Sequence, residues 1–529
     1  MKPFSGPYEG LYRRMGPRAL QNAIMAACGA AFLLFGYDQG VISGLLTGET
    51  FERQFPKMSV DPQLQGLVVA IYEIGCFLGA LLTFVMGERF GRRRMIMFGM
   101  VVLSIGAAIQ TASYGVPELI VGRIIAGIGN GFSTATVPVY HSETSKAQDR
   151  GRAVCIELAI NIAGVCTAYW LDYGMSFVKT STVQWRFPLS FQIFFAIVTF
   201  VMMAFLPESP RWLVAQGREA EAMDVLQRLD ISTLPNSKNV NMLNAEQEFQ
   251  VIKETIEEER KLANGKPVWK DILTNGKERH FQRAVLGFGI QFMQQLSGIN
   301  LITYYAPVIF QKSVGLSRST SLLLAGFNGL AYFLSSLVPI PLIERVGRRP
   351  LMLIGVGGQA ACMAILAAMT VTIGDKTKGI VATAMLFLFN FFFSVGSLAI
   401  PWLYPAEINS TRTRMHGAAI ATGSNWIFTF LVVMITPICV QNLGYKTYVM
   451  FAIFNFSFIF LTYFYYPETK GLQLEAVNEL FEDTQRWAIG PVNTKKYIDA
   501  VKTHVDDSPG YLGTPHDEKS DIMEKTSSA

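Results

Sequence analysis

Asp38 lies in the segment GYDQG, inside an otherwise uncharged run from Asn22 to Leu46. An ionised carboxylate in so apolar a stretch is costly, so it implies a function and a partner. The partner offered by the sequence is Arg123, in the fourth apolar run, VGRIIAGIGNG. Such a pair can act as a titrating switch: a nearby guanidinium favours the charged carboxylate, and separation of the two lets it take up a proton. The alternative is a buried pair that only ties helices together. Glu73 (IYEIG) and Glu157 (CIELA) also sit within apolar runs. Either can tune Asp38, bind a substrate hydroxyl or carry a proton. Equally, either can be protonated and do no more than hydrogen-bond. Asp172 is expected to be solvated near a helix end, and His141 to cap one.

A second group consists of amides. Gln291, Gln294, Gln295 and Asn300 fall within QFMQQLSGIN. A polyol hydroxyl both donates and accepts, and an amide can answer both. Helical spacing puts positions 291, 295 and 298 on one face, with 294 beside it. Amides can serve as glue between membrane helices, but this many within about three turns argues for a binding site. Trp402, Asn425 and Trp426 lie away from the ends of their apolar runs, where an interfacial anchor would be expected. Aromatic faces suit the C–H faces of a sugar.

The elements that position these residues are long and apolar. The chain has 529 residues, 50% hydrophobic and 16% charged, against about 25% charged in a soluble domain. Six apolar runs lie between 22 and 206, and six more between 283 and 466. Each is near the ~20 residues that cross a bilayer as a helix. The expected fold is an all-α polytopic membrane protein with twelve transmembrane helices in two six-helix bundles. Its expected divisions are an N-terminal tail (1–21), a first bundle (22–206), a helical linker (207–282), a second bundle (283–466) and a largely disordered tail (467–529). Lys and Arg concentrate in the loops of one side, at Arg13, Arg14, Arg18, Arg92–Arg94, Arg348 and Arg349. That bias puts both termini and the linker in the cytoplasm. A net charge of +5 is too mild and scattered for a nucleic-acid partner. The six cysteines show no pairing or metal spacing, and no metal or other cofactor is expected.

The halves repeat each other. GERFGRRR (Gly87–Arg94) matches IERVGRRP (Ile343–Pro350), and PESPRW (Pro207–Trp212) matches PETKG (Pro467–Gly471). In both halves a Glu precedes an Arg by seven residues, Glu143 with Arg150 and Glu407 with Arg414. Such duplication implies a site between the halves near the midplane, reached alternately from each side. Glu88, Glu143, Glu208, Glu344, Glu407 and Glu468 then face Arg92, Arg150, Arg211, Arg348 and Arg414 at one set of helix ends. This is the expected inner gate network, able to lock the halves together. Single exposed pairs contribute only ~0–1 kcal/mol, so the effect must come from the set.

These motifs, in this order, make the chain resemble the sugar porter family of the major facilitator superfamily over residues 20–475. They are GYDQGVISG, the two ERxGRR loops, PESPRW, QQLSGIN and PETKG. The stretch AYWLDYGMSF is similar to a fungal branch that includes monosaccharide carriers and glycerol–proton symporters. The resemblance implies that Asp38 and Arg123 couple a proton, since passive carriers often have Asn at the Asp38 position. It implies that Gln294, Gln295, Asn300, Trp402 and Asn425 bind the sugar, with Glu157 beside them, and that Tyr304 and Tyr305 form the outer gate. It also exposes departures: Leu158 replaces a fifth-helix Gln, Tyr332 replaces an eighth-helix Asn, and Ser394 stands where passive carriers often have Glu. A pentose, a hexose or a smaller polyol is therefore admissible.

The function expected is proton-coupled uptake of a monosaccharide at the plasma membrane, by a monomer whose partners are sugar, protons and lipid. The alternatives are a glycerol or polyol symporter and a transporter-like sugar sensor, the latter disfavoured by the short tail and intact ERxGRR loops. No nucleophile–base set marks the chain as an enzyme. The glycines of Gly127-Ile-Gly129-Asn-Gly131 are expected to pack helices rather than hold a phosphate.

Overall fold

The computed structural model describes residues 12–145, 150–229, 238–263, 272–371, 375–410, 413–472, 474–484, 486–492 and 494. Of the expected tails at 1–21 and 467–529, residues 1–11 and 495–529 lie outside the described residues, and Leu474–Thr484 in the second is helical. Among those described every regular element is helical. Ten helices are long and apolar enough to cross a membrane unaided. Two more complete the set: Val116–Thr144, whose apolarity is diluted by Arg123 and three acidic or basic ends, and a broken seventh span.

We number the crossings spans 1–12. The first half comprises Pro17–Leu45, Pro62–Phe90, Arg92–Ala112, Val116–Thr144, Arg150–Met175 and Val183–Phe205. The second begins with span 7, His280–Leu296 followed by Ile299–Lys312, and span 8, Arg318–Ser336 followed by Pro339–Val346. Span 9 is Arg348–Met369, span 10 runs from Lys376 to Ile408, span 11 is Arg414–Leu443 and span 12 is Lys446–Tyr465. Between the halves lie Pro210–Ala215, Glu219–Leu229 and Lys238–Ala263. The Tyr12 hydroxyl and the Arg13 guanidinium reach Asp224, at 3.3 and 3.2 Å, which stitches the linker to the start of span 1.

Local signals explain the helix ends. Asp61 caps span 2 by accepting from the amides of Gln63 and Leu64, with Pro62 in the first turn. Gly91 and Gly347 separate spans 2 from 3 and 8 from 9 at φ of 88° and 104°, a backbone region where side chains other than glycine are strained. Span 7 breaks at Gly298, φ 97°. Tyr305 is non-helical at φ −131°, ψ 18°, two residues before Pro307. Span 10 opens into a π-helical turn over Ser394–Leu398.

Close packing within the first half rests on glycine. A Cβ on Gly127 would lie 2.2 Å from the Tyr72 carbonyl, and one on Gly131 2.2 Å from the Cys76 carbonyl. The GIGNG segment is thus a helix contact. The halves meet where span 2 packs on span 11, span 5 on span 8 and span 1 on the second part of span 7. Trp170 of span 5 stands edge-on to Phe327 of span 8, with ring centroids 5.3 Å apart. All six cysteines are free.

Gly36 sets the approach of span 1 to span 5: a Cβ there would sit 1.7 Å from the Asn161 carbonyl, whereas nothing lies within 4 Å of one on Gly174. Gly36→Val is expected to abolish the monodisperse peak of a fluorescent fusion on size-exclusion chromatography, and Gly174→Ala to leave it unchanged.

Candidate functional site

The buried charges gather where spans 1, 2, 4 and 7 meet. The Tyr72 hydroxyl donates to Asp38 Oδ2 at 3.0 Å. Arg123 lies over the Tyr72 ring, its guanidinium carbon 5.0 Å from the ring centroid, and donates to the Val69 carbonyl at 2.8 Å. The expected direct Asp38–Arg123 ion pair is therefore not formed in this state. Tyr72 is interposed, bonding the carboxylate with its hydroxyl and facing the cation with its ring. Arg123 remains within Coulombic reach of Asp38 and of Glu73. Asp38 Oδ1, Glu73 Oε2 and Arg123 Nε have no hydrogen-bond partner.

Glu73 accepts a hydrogen bond from the Tyr304 hydroxyl, which joins span 2 of the first half to span 7 of the second. Tyr305, next along, donates to the Val433 carbonyl at 3.0 Å. It also lines a cavity of about 240 Å³ on the face away from the arginine loops, together with Gln65, Lys312, Thr436 and Pro437. Tyr305 thus borders that vestibule, while Tyr304 beside it bonds Glu73 of the charged cluster. On the same face Arg318 pairs with Glu49 across the halves at 3.0 Å. Tyr169 of span 5 likewise donates to the Thr303 carbonyl.

The amides form one network one layer further in. Asn425 donates to Gln291 Oε1 at 2.7 Å and to Gln294 Oε1 at 3.2 Å. Asn300 donates to Gln295 Oε1 at 2.5 Å, and Gln295 to Gln294 Oε1 at 3.2 Å. Gln294 donates in turn to the Ser397 carbonyl at 2.7 Å, and Gln291 to the Pro401 carbonyl at 2.8 Å. The Ser397 carbonyl is free for this bond because its helical donor would be Pro401, which has no N–H, and the Trp402 amide bonds Ala399 instead. Trp402 follows Pro401, half-buried. Trp426 stands edge-on to Phe35 of span 1 at 5.8 Å, so the network faces the first half. All five predicted binding residues of the second half lie on spans 7, 10 and 11, in or beside this network.

Glu157 has another partner. His141 Nδ1 lies 2.5 Å from Glu157 Oε1, both buried. The Cys28 thiol completes a group whose ligand atoms lie within 4.8 Å of one another. His141 is thus bonded to a carboxylate rather than capping a helix. The pairing joins spans 4 and 5, and no spacing within either one announces it. Gly36 packs on Asn161 and Gly44 on Asp172, so Glu157 lies level with residue 32, about one turn from Phe35 toward the arginine loops. Asp172 is buried, accepting from the Gly44 amide at 3.2 Å, where solvation was expected. The helix contact excludes water there.

At the arginine loops the two halves build the same structure twice. Arg92 pairs with Glu143 at 3.1 Å, and Arg348 with Glu407 at 2.7 Å and Glu344 at 3.1 Å. Ser209 donates to Glu143 at 2.5 Å as Thr469 does to Glu407 at 2.6 Å. Glu208 accepts from the amides of Arg92 and Arg93, and Glu468 from those of Arg348 and Arg349. Tyr140 and Tyr404 close each motif on the carbonyls of Pro207 and Pro467, at 2.8 and 2.9 Å. Burial pushes the Glu208 carboxyl up, opposed by the amides of Ser209 and Arg93 and the charges of Arg92 and Arg93.

Every pair just described stays within its own half rather than bridging the two. The reason is the carboxylate geometry, in which each Glu cradles the loop of its own Gly91 or Gly347 turn. Glu88 contributes its carbonyl, accepting from Trp212 at 2.8 Å. Arg211 and Arg414 lie at the same helix ends, and the side chain of Arg150 is outside the described residues.

Comparison with known proteins places this geometry. A family described as "Sugar (and other) transporter" matches residues 22–481. The MFS-type transporter oryC of Aspergillus oryzae is 40% identical over 465 residues, 87% of this chain and 85% of that protein. Sugar transporter STL1 of Saccharomyces cerevisiae is 36% identical over 503 residues, covering 92% and 86%. The proton:xylose symporter XylE, solved with 6-bromo-6-deoxy-D-glucose, is 26% identical with a TM-score of 0.71, over 88% of this chain and all of that one, 100%.

Arg348 holds two carboxylates with a side chain 8% exposed, whereas Arg92 holds one at 18%. Arg348→Ala is expected to lower the melting temperature of the purified protein more than Arg92→Ala. Adding Glu407→Gln to Arg348→Ala should cost less than the sum of the single changes, because the pair is coupled.

Proposed function

We propose that this chain, which belongs to the sugar transporter family, carries a monosaccharide together with a proton across the plasma membrane by alternating access. The observation that carries the reading is the stacking of two clusters. A set of amides faces Trp426 and Phe35, and a buried group of two carboxyls and one arginine lies between it and the paired tyrosines. The amides offer both donors and acceptors to hydroxyls. In this reading Gln294, Gln295, Asn300, Trp402 and Asn425 bind the sugar, and Asp38 with Arg123 couples the proton.

Tyr304 and Tyr305 act as the outer gate. Glu49–Arg318 and Tyr304–Glu73 tie the halves on that side. The arginine-loop motifs keep each half rigid as the halves rock, and their basic charge orients both termini and the linker to the cytoplasm. Substrate and proton are the only partners required besides lipid, and one copy of the chain contains every residue invoked.

A smaller polyol is the second reading, favoured by one observation. Asn328 is engaged by Asn390 at 2.6 Å, and Leu158 brings no hydrogen bond to the fifth-span position. Fewer side chains are then left to meet the hydroxyls of a hexose.

The test uses a yeast strain lacking its own hexose carriers. Glucose, xylose, arabinose, galactose or glycerol is added to lightly buffered cells, and external pH is recorded beside labelled uptake. Alkalinisation with a monosaccharide, abolished by Asp38→Asn, is the expected outcome. A response to glycerol alone would replace the monosaccharide by a polyol, and uptake without pH change would make the protein a passive carrier.

A further inference from the structure

Charge counting in the buried cluster leads beyond the Asp38–Arg123 couple. Asp38, Glu73, Arg123, Tyr72 and Tyr304 are all at most 2% exposed. The groups facing Glu73 are Asp38 from span 1, Tyr72 and Cys76 from its own span, Arg123 from span 4 and Tyr304 from span 7, with Tyr305 facing Arg123. Span 11, packed along span 2, has no ionisable residue between His416 and Cys439, and span 3 has no charged residue beyond Arg94. The enclosed set therefore holds one fixed cation and two carboxyls. With both carboxyls ionised it carries one net negative charge, and one proton makes it neutral.

We infer that Glu73 is a second proton-sharing carboxyl, and that its bond to Tyr304 makes closure of the outer gate conditional on one proton. While the gate is open, water can solvate the excess negative charge. Closing Tyr304 over the cluster removes that water, and an uncompensated buried charge opposes closure. One proton, taken from outside onto either carboxyl, removes the opposition. With the proton on Asp38, the ionised Glu73 receives the Tyr304 hydroxyl in a charge-assisted bond and holds the gate shut. The unpartnered oxygens Asp38 Oδ1 and Glu73 Oε2 are the two places the proton can sit. No bond other than O–H is made or broken, and the proton leaves on the opposite side when the cluster next meets water. Glu73 is a positioning residue, since it touches the gate and not the sugar. This inference rests on the proton-coupled reading above.

The rule makes an unusual demand. Either carboxyl alone balances Arg123, so neutralising one should free closure from the proton without stopping it. Neutralising both should strand the arginine. The experiment reconstitutes purified variants in vesicles and follows labelled xylose, glucose and glycerol, both as accumulation under an inward proton gradient and as counterflow exchange without one. Wild type and Glu73→Asp are expected to accumulate label. Glu73→Gln, whose amide oxygen can still accept from Tyr304, should only equilibrate it, with exchange no longer dependent on pH between 5 and 8. The double variant Asp38→Asn/Glu73→Gln should lose exchange as well. Accumulation by Glu73→Gln at the wild-type level would overturn the inference and leave the proposed function standing. So would loss of exchange in Glu73→Gln while Glu73→Asp stays active. A wild type that exchanges label but never accumulates it would overturn the proton-coupled reading itself, and this inference with it.

Discussion

One buried guanidinium organises the centre of this protein. Arg123 has no acidic residue in direct contact, yet it is enclosed by helices with two carboxyls in electrostatic reach. A cation in that position is tolerable only while something nearby is negative. Tyr72 mediates, giving its hydroxyl to Asp38 and its ring to Arg123. Moving span 1 against spans 2 and 4 therefore changes how well the arginine is compensated. Tyr304 enters the same balance through its bond to Glu73, and in the proposed mechanism charge in the core and closure at the surface are one problem rather than two.

The rest of the molecule supplies fastened loop ends and interrupted helices. Two copies of one motif at the arginine loops, Arg92–Glu143–Ser209 and Arg348–Glu407–Thr469, fasten the loop ends of each half. Because their bonds stay within a half, the motifs resist deformation of each bundle without opposing motion between bundles. The helices are interrupted in span 7, at Gly298 and again at Tyr305, and in the π turn of span 10. Both irregular segments border the amide network. The Ser397 carbonyl, left without a helical donor by Pro401, is already in use by Gln294.

Much of this was legible in the sequence, for identifiable reasons. Membrane spans declare themselves by length and apolarity, and the duplicated loops by their near-constant offset. The amides of span 7 share one short stretch, so helical spacing alone grouped them. What escaped depends on contacts between distant segments. Glu73 and Tyr304 are separated by 231 residues, and His141 meets Glu157 across two helices. That Tyr72 bonds Asp38 with its hydroxyl and faces Arg123 with its ring has no signature in spacing. That Arg92 and Arg348 pair within their own halves was not legible either: matched composition in both halves is compatible with crossing or self-contained pairs. Only the Gly91 and Gly347 turns, which bring Glu208 and Glu468 under their own loops, decide between them.

The central claim is that a single proton accompanies each sugar through the membrane. Its most direct measurement is the charge moved per labelled sugar by the wild-type protein, recorded as current on vesicles fused to a solid-supported membrane with xylose or glucose as probe. The account predicts one positive charge inward per sugar molecule, since one proton neutralises the enclosed cluster. Sugar flux with no accompanying current would contradict it.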